Sequence, residues 1–382
     1  MKHRIDWVRQ NCRLLAAIAS EFDAEKPFAG RTIGTGIHLE PKTVALILTL
    51  QSGGARMVST GNLNSTQPEA VDYLRDNGVT VIGGPTRDPD EHRGNLKAVL
   101  AERPDILLDN GGDLFDLYRQ DRYPGLLGGT EETTSGRMRL APMRDELALP
   151  ILVINDSPIK QFAENEHGVG QSVLESYMRI TNRVTNGQRV AVFGYGACGK
   201  GVAANFRAAN AKVSVVDRDP LKRLQAHLDG HDTPPRETAI ASADFIVTVT
   251  GGGRIIGPED LPHFKDGVIL ANAGHFPVEI DAAALAASGD VAARTGYDVG
   301  VESLTLKDGR TIRVIAEGHM FNLAGPRPMG NSIETMDLGF ALQARCLEAV
   351  ALGKATADQC VVPVPRDIDE RVANAYLDLH YG

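Results

Sequence analysis

A glycine-rich segment at residues 190–201 constrains the fold of this chain more than any other feature. The segment reads Val-Ala-Val-Phe-Gly-Tyr-Gly-Ala-Cys-Gly-Lys-Gly. Its apolar start predicts a buried parallel strand. After it, Gly194 permits a tight turn, Gly196 lets a pyrophosphate approach the backbone, and Gly199 lets the following helix pack close to the strand. The positive end of that helix would face the phosphates, so the segment predicts a dinucleotide site.

The acid that should accompany such a motif is present. A second strand is predicted at 212–216, and Asp217 follows it directly. A carboxylate at this position accepts hydrogen bonds from the adenosine ribose and repels a 2′-phosphate. NAD is therefore the predicted cofactor and is favoured over NADP, although the neighbouring Arg218 favours the phosphorylated form.

The rest of the chain alternates between strand and helix patterns. The predicted strands are at 32–38, 55–60, 79–82, 105–108, 150–154, 189–193, 212–216, 245–249, 268–271 and 311–315. The predicted helices are at 42–51, 68–77, 91–102 and 199–209, with a connecting helix at 173–181 and a further one at 331–352. Residues 120–148 are rich in Arg, Gly and Glu and read as irregular.

This order predicts an α/β fold class with two domains. We expect a Rossmann NAD-binding domain at 171–330. We expect a second α/β, substrate-binding domain with a parallel sheet at 1–170, completed by 331–382. The length of 382 residues fits two domains.

Composition narrows the function classes. The net charge of −9 argues against nucleic acid or an anionic membrane as the main partner. The ten histidines and four cysteines form no CxxC or HExxH motif, so no metal site is expected. Scattered cysteines and a charged N-terminus without a secretory segment indicate the cytoplasm, and no apolar stretch is long enough to cross a bilayer.

Seven polar segments outside the glycine motif, taken together, carry a family resemblance. They are Gly36–Thr43, Asn62–Gln67, Leu108–Leu114, Glu131–Gly136, Asn155–Lys160 with Glu164 and Asn165, Asn272–Asp281, and Glu317–Leu323. In this order and at these spacings, they resemble the S-adenosylhomocysteine hydrolase family from about residue 30 to residue 378. The runs EETTSG, NDSPIK, GYGACGKG and NAGHFPVEID are specific as a set.

The resemblance implies a redox-neutral reaction. In this family a tightly held NAD oxidises the 3′-hydroxyl of a nucleoside, which acidifies the C4′ hydrogen. Loss of that proton expels the 5′ substituent, water adds, and the hydride returns. The implied partner is thus a small nucleoside, and we expect a homo-oligomer, a dimer or a tetramer. The family's C-terminal lysine and tyrosine have no counterpart before Gly382.

The resemblance also implies roles for individual residues. Lys160 would remove the 3′-hydroxyl proton, and burial beside the nicotinamide charge is expected to lower its pKa. The other implied catalytic positions are His38 at the leaving group, Glu132 and Glu164 at the ribose, His275 beside the reacting sugar, and Asn110 near C4′ and C5′. The implied cofactor-binding residues are Thr133, Thr134, Ser135, Asn165, Gly194, Gly196, Gly199, Asp217, Asn272 and Asn322. The implied substrate-binding positions are Glu40, Lys42, Asn62, Ser65, Gln67 and Asn331.

Several of these positions depart from the family pattern. Asn110 and Glu164 stand where aspartates are usual, and an amide at 110 cannot exchange a proton at neutral pH. Glu40 and Lys42 replace a threonine and a glutamate that reads the adenine amino group, and a lysine cannot accept a hydrogen bond from that amine. Asn331 replaces a histidine beside the adenine. The changes fall on the base pocket and the leaving-group end.

Four interpretations therefore stay open at this point. The chain hydrolyses S-adenosylhomocysteine or a close relative. It uses the same cycle as a dehydratase, lyase or epimerase on another nucleoside. It is a net dehydrogenase that consumes NAD. It is a catalytically silent NAD-binding regulator.

Overall fold

The structure of the protein, a computed structural model, describes residues 2–382. The chain forms two compact units. Unit 1 comprises the chain up to Glu164 together with Ile333–Gly382, and unit 2 comprises Asn165–Ser332. Each unit contains one seven-stranded sheet with helices around it. The predicted α/β fold class is confirmed.

The helices and strands follow in chain order. The first stretch contains α1 (Lys2–Asn11), α2 (Arg13–Glu25), β1 (Thr32–Ile37), α3 (Pro41–Ser52), β2 (Arg56–Gly61), α4 (Pro68–Asp76), β3 (Thr80–Val81), α5 (Pro89–Ala101), β4 (Ile106–Asp109), α6 (Asp113–Gln120), β5 (Gly128–Glu131), α7 (Thr134–Leu140), α8 (Arg144–Leu147), β6 (Ile151–Val153) and a π-helix (Lys160–Gly168). The second contains α9 (Val169–Thr181), β7 (Arg189–Phe193), α10 (Ala197–Ala208), β8 (Lys212–Val216), α11 (Pro220–Leu228), α12 (Arg236–Ser242), β9 (Phe245–Thr248), β10 (Ile269–Asn272), α13 (Ala282–Ala287), β11 (Val291–Tyr297), β12 (Val301–Leu306), β13 (Thr311–Ile315) and α14 (Phe321–Ala324). The last contains α15 (Ile333–Ala351), β14 (Cys360–Pro363) and α16 (Arg366–Tyr381). Short 3₁₀ turns occur at Ala141–Met143, Ile154–Asp156, Pro258–His263 and Ala316–Gly318.

The sheet of unit 1 is parallel, in the order β14-β6-β5-β4-β1-β2-β3. The chain runs outward from β1 to β3 and then continues in the opposite direction from β4. The strand order thus reverses between β1 and β4. In open α/β sheets this reversal point is where ligands bind.

The sheet of unit 2 has the order β11-β12-β13-β10-β9-β7-β8. Its strands β8, β7, β9, β10 and β13 are parallel, and β11 and β12 add an antiparallel edge. The reversal point lies between β7 and β9, where the glycine motif leaves β7.

The apolar core of unit 1 covers the sheet with helices from both ends of the sequence. Helix α15 packs against α2 and α3. Leu14, Phe22, Ile47 and Leu342 are among the buried residues that these helices contribute. This packing places the buried face of α15 close to the carboxyl edge of the sheet.

The prediction that residues 120–148 are irregular is wrong, because this segment contains β5, α7 and α8. Strand β5 begins with Gly128 and Gly129, which are poor strand formers, so the pattern concealed it. A Cβ atom on Gly129 would collide with the backbone of Leu107 in β4. Glycine is therefore required there for the two strands to approach each other.

The division between the units lies between residues 164 and 165, six residues earlier than the domain boundary expected from the sequence. The physical reason is close packing of α9 on α10. A Cβ on Gly170 would meet the backbone of Gly201 at 2.5 Å, and a Cβ on Gly201 would collide with the carbonyl of Glu166. Residues 165–170 therefore pack with unit 2. Asn331 and Ser332, expected with the first domain, also fall in unit 2.

No helix in residues 2–382 has both the length and the apolar character that a membrane span requires.

Candidate active site

The carboxyl edge of the unit 1 sheet collects most of the predicted polar residues. His38 and Glu40 follow β1, Asn62 follows β2, Asn110 follows β4, and Glu132 follows β5. Because the strands are parallel, their carboxyl ends meet at one edge of the sheet. The structure therefore brings these residues of unit 1 to the same edge of the sheet.

A buried lysine with two carboxylate partners forms the centre of this edge. Lys160 begins the π-helix, and its ammonium forms ion pairs with Glu132 and Glu164. The exposed fractions of the three side chains are 4%, 6% and 9%. Helix α15 closes the other side, since a Cβ on Gly339 would collide with the Glu164 carboxylate. One amine and two carboxyl groups are thus held out of water in direct contact.

The titration of this cluster differs from the expectation. Burial alone would lower the pKa of Lys160, but the charges of Glu132 and Glu164 outweigh it and raise that pKa above its usual range. The lowered pKa predicted from the sequence is therefore not found in this arrangement, because the pattern did not reveal that two carboxylates contact the ammonium. Burial raises the pKa of Glu164 to about 7, with the Lys160 charge opposing the rise.

The leaving-group positions form a second polar group at this edge. The side-chain amide of Asn62 donates to Oδ1 of Asn110 over 3.0 Å, and both side chains are buried. Nδ1 of His38 lies 2.5 Å from Oγ of Ser65, which fixes the orientation of the imidazole ring. Gln67, two residues after Ser65, is also buried. Its Oε1 has no hydrogen-bond partner within the described part of the chain.

Glu40 and Lys42 form a buried ion pair at the start of α3. Oε1 of Glu40 accepts from the backbone N–H groups of Lys42 and Thr43, which caps the helix. Oε2 lies 2.8 Å from Nζ of Lys42, and both side chains are 5% exposed. The Lys42 charge also lowers the pKa of Glu164, so the ammonium lies within electrostatic range of the central cluster.

Two buried acids support the loop that carries Asn110, and the sequence reasoning did not assign them a site role. Asp109 and Glu131 are neighbours in the register of β4 and β5. Glu131 accepts from the N–H groups of Gly111 and Gly112, and Asp109 accepts from those of Asn110 and Phe115. Burial raises the pKa of both acids, that of Asp109 to about 7. The signal in the sequence was an acid at the end of each of two neighbouring strands.

The EETTSG run has a structural function in addition to any ligand contact. Thr133 caps α7 by accepting from the N–H of Gly136, and its hydroxyl donates to Glu131 over 2.7 Å. Ser135 lies 3.0 Å from the Thr133 hydroxyl, and Thr134 is exposed. All three belong to unit 1, and their predicted contact with the cofactor stays a prediction.

The glycine motif in unit 2 has the geometry that a dinucleotide requires. Gly194 has a φ of +105°, and a Cβ on Gly199 would collide with the Gly194 carbonyl. A Cβ on Gly196, the residue before α10, would meet only Nζ of Lys222 at 3.7 Å. The space above Gly196 is therefore open to a phosphate, with a helix N-terminus and one ammonium beside it. Lys222 was not recognised from the sequence.

Asp217 fits the ribose of such a ligand. Its two oxygens accept from the N–H groups of Tyr195 and Asp219 over 2.7 and 2.9 Å. A carboxylate offers about four acceptor sites, so two remain for the ribose hydroxyls. The buried Oδ1 of Asn322, which has no hydrogen-bond partner among residues 2–382, provides a further acceptor in unit 2. The residues present thus fit a dinucleotide.

Asn272 positions a turn, and this favours an indirect role over the predicted direct contact with the cofactor. Its Nδ2 faces the carbonyls of Gly274, Phe276 and Gly318, and its Oδ1 accepts from Thr248 and from the N–H of Gly274. The amide is fully engaged within the protein. The turn it stabilises carries His275, which is half-buried.

Glu279 also stabilises the loops near His275, and the sequence analysis did not assign it a role in the site. It accepts from the N–H groups of Thr250 and Gly251, so it joins the loop after β9 to the loop after β10. Ser172 on α9 likewise links two segments, because its hydroxyl forms hydrogen bonds with both Asn322 and Asn331. Asn331 is thus anchored to unit 2, beside a predicted cofactor residue. Asn165, also predicted as a cofactor ligand, begins unit 2 within the π-helix.

Comparison with known proteins assigns the chain to a family. The model of the S-adenosyl-L-homocysteine hydrolase NAD-binding domain matches residues 165–327, and the model of S-adenosyl-L-homocysteine hydrolase matches residues 2–123. Adenosylhomocysteinase from Thermotoga maritima is 40% identical over 98% of this chain and 93% of its own length. The chain belongs to the S-adenosyl-L-homocysteine hydrolase family.

Two other relatives in this family are named for a different substrate. S-inosyl-L-homocysteine hydrolase from Methanopyrus kandleri is 39% identical over 98% of this chain and 89% of its own. The enzyme of the same name from Methanothermobacter thermautotrophicus is 38% identical over 98% and 90%. Membership of the S-adenosyl-L-homocysteine hydrolase family makes this chain an NAD-dependent enzyme of the adenosylhomocysteinase type, and the predicted NAD cofactor is confirmed. The adenosyl and inosyl relatives are almost equally similar, so identity alone does not select the base.

Proposed function

We propose that this protein cleaves the thioether of an S-nucleosidyl-L-homocysteine by hydrolysis, without net oxidation. The observation that supports this most directly is the buried Lys160 ammonium between Glu132 and Glu164 in a chain that also holds a dinucleotide motif. Simple hydrolysis needs no dinucleotide, and a net dehydrogenase needs no set of groups for expelling a 5′ substituent. A redox-neutral cycle uses both.

The central cluster would act on the ribose. When bound, NAD supplies a hydride acceptor that can return what it takes. Glu132 would hold the ribose as a hydrogen-bond acceptor. Lys160 would take the 3′-hydroxyl proton while it passes one of its own protons to Glu164. Glu164 suits this task, because its pKa of about 7 lets it gain and lose a proton near neutrality.

The second polar group would act at the leaving group. Ser65 orients the His38 ring, and we propose that the other ring nitrogen carries the proton that the departing sulfur needs. The Asn62–Asn110 pair would provide a neutral hydrogen-bonding surface near C4′ and C5′. His275 in unit 2, held by the turn around Asn272, would act beside the reacting sugar.

A specific observation favours a 6-oxopurine as the base. Lys42 carries only donors and is buried, with Glu40 as its carboxylate partner. If this pair faces the base, as the family resemblance implies, an ammonium suits the 6-carbonyl oxygen of hypoxanthine better than the 6-amino group of adenine. Two of the similar relatives are S-inosyl-L-homocysteine hydrolases. S-Inosyl-L-homocysteine is therefore our first candidate substrate, and S-adenosyl-L-homocysteine is the second.

The test incubates NAD-loaded protein separately with S-inosyl- and S-adenosyl-L-homocysteine and measures the thiol released. We expect homocysteine from both or from the inosyl compound alone, with the inosyl compound faster. In the variant Lys42→Glu the preference should move toward the adenosyl compound by about tenfold or more.

The alternatives give different readouts in the same assay. A net dehydrogenase would accumulate reduced NAD, and a silent regulator would release no thiol. A dehydratase or lyase acting on a plain nucleoside would form an unsaturated nucleoside, which mass spectrometry detects. We further propose that the protein acts in the cytoplasm as a homo-oligomer, and sedimentation would distinguish a dimer from a tetramer.

A further inference from the structure

Gln343 is a buried polar residue next to the central cluster. It lies on α15 with 0% of its surface exposed, in the otherwise apolar run Leu-Gly-Phe-Ala-Leu-Gln-Ala at 338–344. Its Nε2 donates to Oε2 of Glu132, while Oε1 of Glu132 pairs with Lys160. The three side chains therefore form a row, with the Glu132 carboxylate between the lysine and the glutamine.

The other end of the Gln343 amide has no hydrogen-bond partner in the part of the chain that the structure describes. Its Oε1 is buried and accepts no hydrogen bond from any described residue. The orientation of the amide is determined, because the opposite assignment would place two oxygens against each other at Glu132. A fully buried carbonyl without a donor is unfavourable. An acceptor left open beside a ligand site is accounted for if the ligand brings the donor.

We propose that Gln343 is a substrate-binding residue that accepts a hydrogen bond from the ribose 2′-hydroxyl and also holds Glu132 in position. The inference rests on the proposed function. Lys160 lies at one end of the row and acts on the 3′-hydroxyl in that proposal. The 2′-hydroxyl is the adjacent donor of the same diol, and the Gln343 carbonyl is the open acceptor at the other end of the row.

The test measures dissociation constants by calorimetry for NAD-loaded protein with two pairs of ligands. The pairs are inosine with 2′-deoxyinosine and adenosine with 2′-deoxyadenosine. For the wild-type protein we expect the deoxynucleoside to bind more weakly by at least about tenfold in the preferred pair. In Gln343→Met, which has a similar volume and no acceptor, this ratio should fall toward one, chiefly because the ribonucleoside binds less well.

The variant Gln343→Glu provides a second readout. When its carboxyl group is protonated, it offers an O–H donor to Glu132 and a carbonyl to the substrate, as glutamine does. When ionised, it faces Glu132 with a like charge. We therefore expect the 2′-hydroxyl preference of Gln343→Glu to persist at acidic pH and to disappear at alkaline pH, whereas Gln343→Met lacks it throughout. Circular dichroism checks folding, and the glutamate variant alone tests the proposal if the methionine variant fails to fold.

Three results would overturn the inference. Equal weakening of both members of a pair in Gln343→Met would mean that Gln343 only supports Glu132, or that a buried water serves its carbonyl. If the wild-type protein releases homocysteine yet shows no 2′-hydroxyl preference, the role of Gln343 is wrong and the proposed function stands. If the wild-type protein binds none of the four nucleosides and releases no thiol, both are wrong.

Discussion

Lys160 illustrates how neighbours decide the chemistry of a single residue. An isolated buried lysine loses its proton readily, but two carboxylates in contact hold the proton on it. Burial raises the pKa of Glu164, in the same cluster, to about 7. Proton exchange with a substrate should therefore depend on the carboxyl group and pass through the ammonium.

The variant Glu164→Gln tests this assignment. The burial that raises the pKa of Glu164 to about 7 keeps the group protonated below that pH, and only the ionised form can accept a proton. The rate of nucleoside-dependent NAD reduction in single turnovers should therefore rise with pH through about 7 in the wild-type protein. Glu164→Gln should lose this rise and be slower by about 100-fold or more.

The control for this measurement is Glu164→Asp, which restores a carboxylate one methylene shorter. It should retain a pH-dependent rate. An unchanged pH profile in Glu164→Gln would assign the titration to another group.

Asn110 is the second residue with a direct prediction. It accepts a hydrogen bond from Asn62, and a carboxylate at the same position could accept that bond equally well. Asn110→Asp should thus fold and should add an acid/base group near C5′. We expect homocysteine release to accelerate by about tenfold or more at neutral pH.

The comparison that isolates Asn110 uses both thioether and hydroxyl leaving groups. Asn110→Ala should release homocysteine no faster than the wild-type protein does. If Asn110→Asp and the wild-type protein have the same rates with both leaving groups, position 110 does not determine the leaving-group chemistry.

At the scale of elements, α15 connects stability to the site. It carries Gln343 and Gly339 toward the central cluster, and near its start Asp337 accepts from the N–H groups of Leu14 and Leu15 over 2.7 and 2.9 Å. This carboxylate satisfies the first amides of α2 from the far end of the sequence. Burial raises the pKa of Asp337 to about 6.

Asp337→Ala should therefore lower the free energy of unfolding by about 1–3 kcal/mol, because two buried N–H groups lose their acceptor. Asp337→Asn should cost less, since one acceptor remains. The raised pKa means that the folded state binds more protons than the unfolded chain between pH 4 and 6. Stability should thus fall as pH rises through that window, by up to about 3 kcal/mol, and stay level above it.

Urea titrations of the wild-type protein and of Asp337→Asn at several pH values would measure both effects. The asparagine variant should lack this share of the pH dependence. Equal slopes in the two proteins would assign the dependence to other buried acids such as Asp109.

The helices and strands differ in how well the sequence predicts them. Strands such as β4 and β7 are runs of apolar residues and were predicted to within a residue or two. Helix α2 was overlooked although its buried residues Leu14, Leu15, Ile18 and Phe22 have helical spacing. Strand β11 lies at a sheet edge and is mostly exposed, so no alternating apolar pattern indicates it.

The site divides in a similar way. Lys160 and Glu132 were predicted because the runs NDSPIK and EETTSG that contain them resemble those of the S-adenosylhomocysteine hydrolase family. Gln343 and Lys222 were not, because each belongs to a helix whose pattern reads as ordinary packing or surface. Their significance depends on tertiary contacts, with Glu132 for one and the glycine turn for the other. A linear pattern does not contain such contacts.

At the scale of the whole molecule, the two units carry different parts of the chemistry. Unit 1 holds the Lys160 cluster that we propose transfers protons, and unit 2 holds the dinucleotide motif with Asp217. NAD should therefore stabilise the folded chain in proportion to its binding. At about 100 times the dissociation constant the gain is about 2.7 kcal/mol.

Thermal melting with and without added cofactor tests this contribution. Removing NAD should lower the melting temperature of the wild-type protein, and NADP should restore little of it. Asp217→Ala should weaken the binding of NAD by about tenfold or more. It should also reduce the difference in affinity between NAD and NADP. Asp217→Asn keeps one acceptor, so its affinity for NAD should lie between those of the wild-type protein and Asp217→Ala. Equal stabilisation of the wild-type protein by both cofactors would refute the role of the Asp217 carboxylate.

The most direct measurement of the central claim follows hydrogen exchange at the sugar. NAD-loaded protein is incubated in deuterium oxide with S-inosyl- or S-adenosyl-L-homocysteine, and the recovered nucleoside is analysed by mass spectrometry and NMR. A redox-neutral cycle predicts deuterium at C4′, free homocysteine and no accumulation of reduced NAD. Homocysteine released from a nucleoside that carries no deuterium at C4′ would contradict this mechanism.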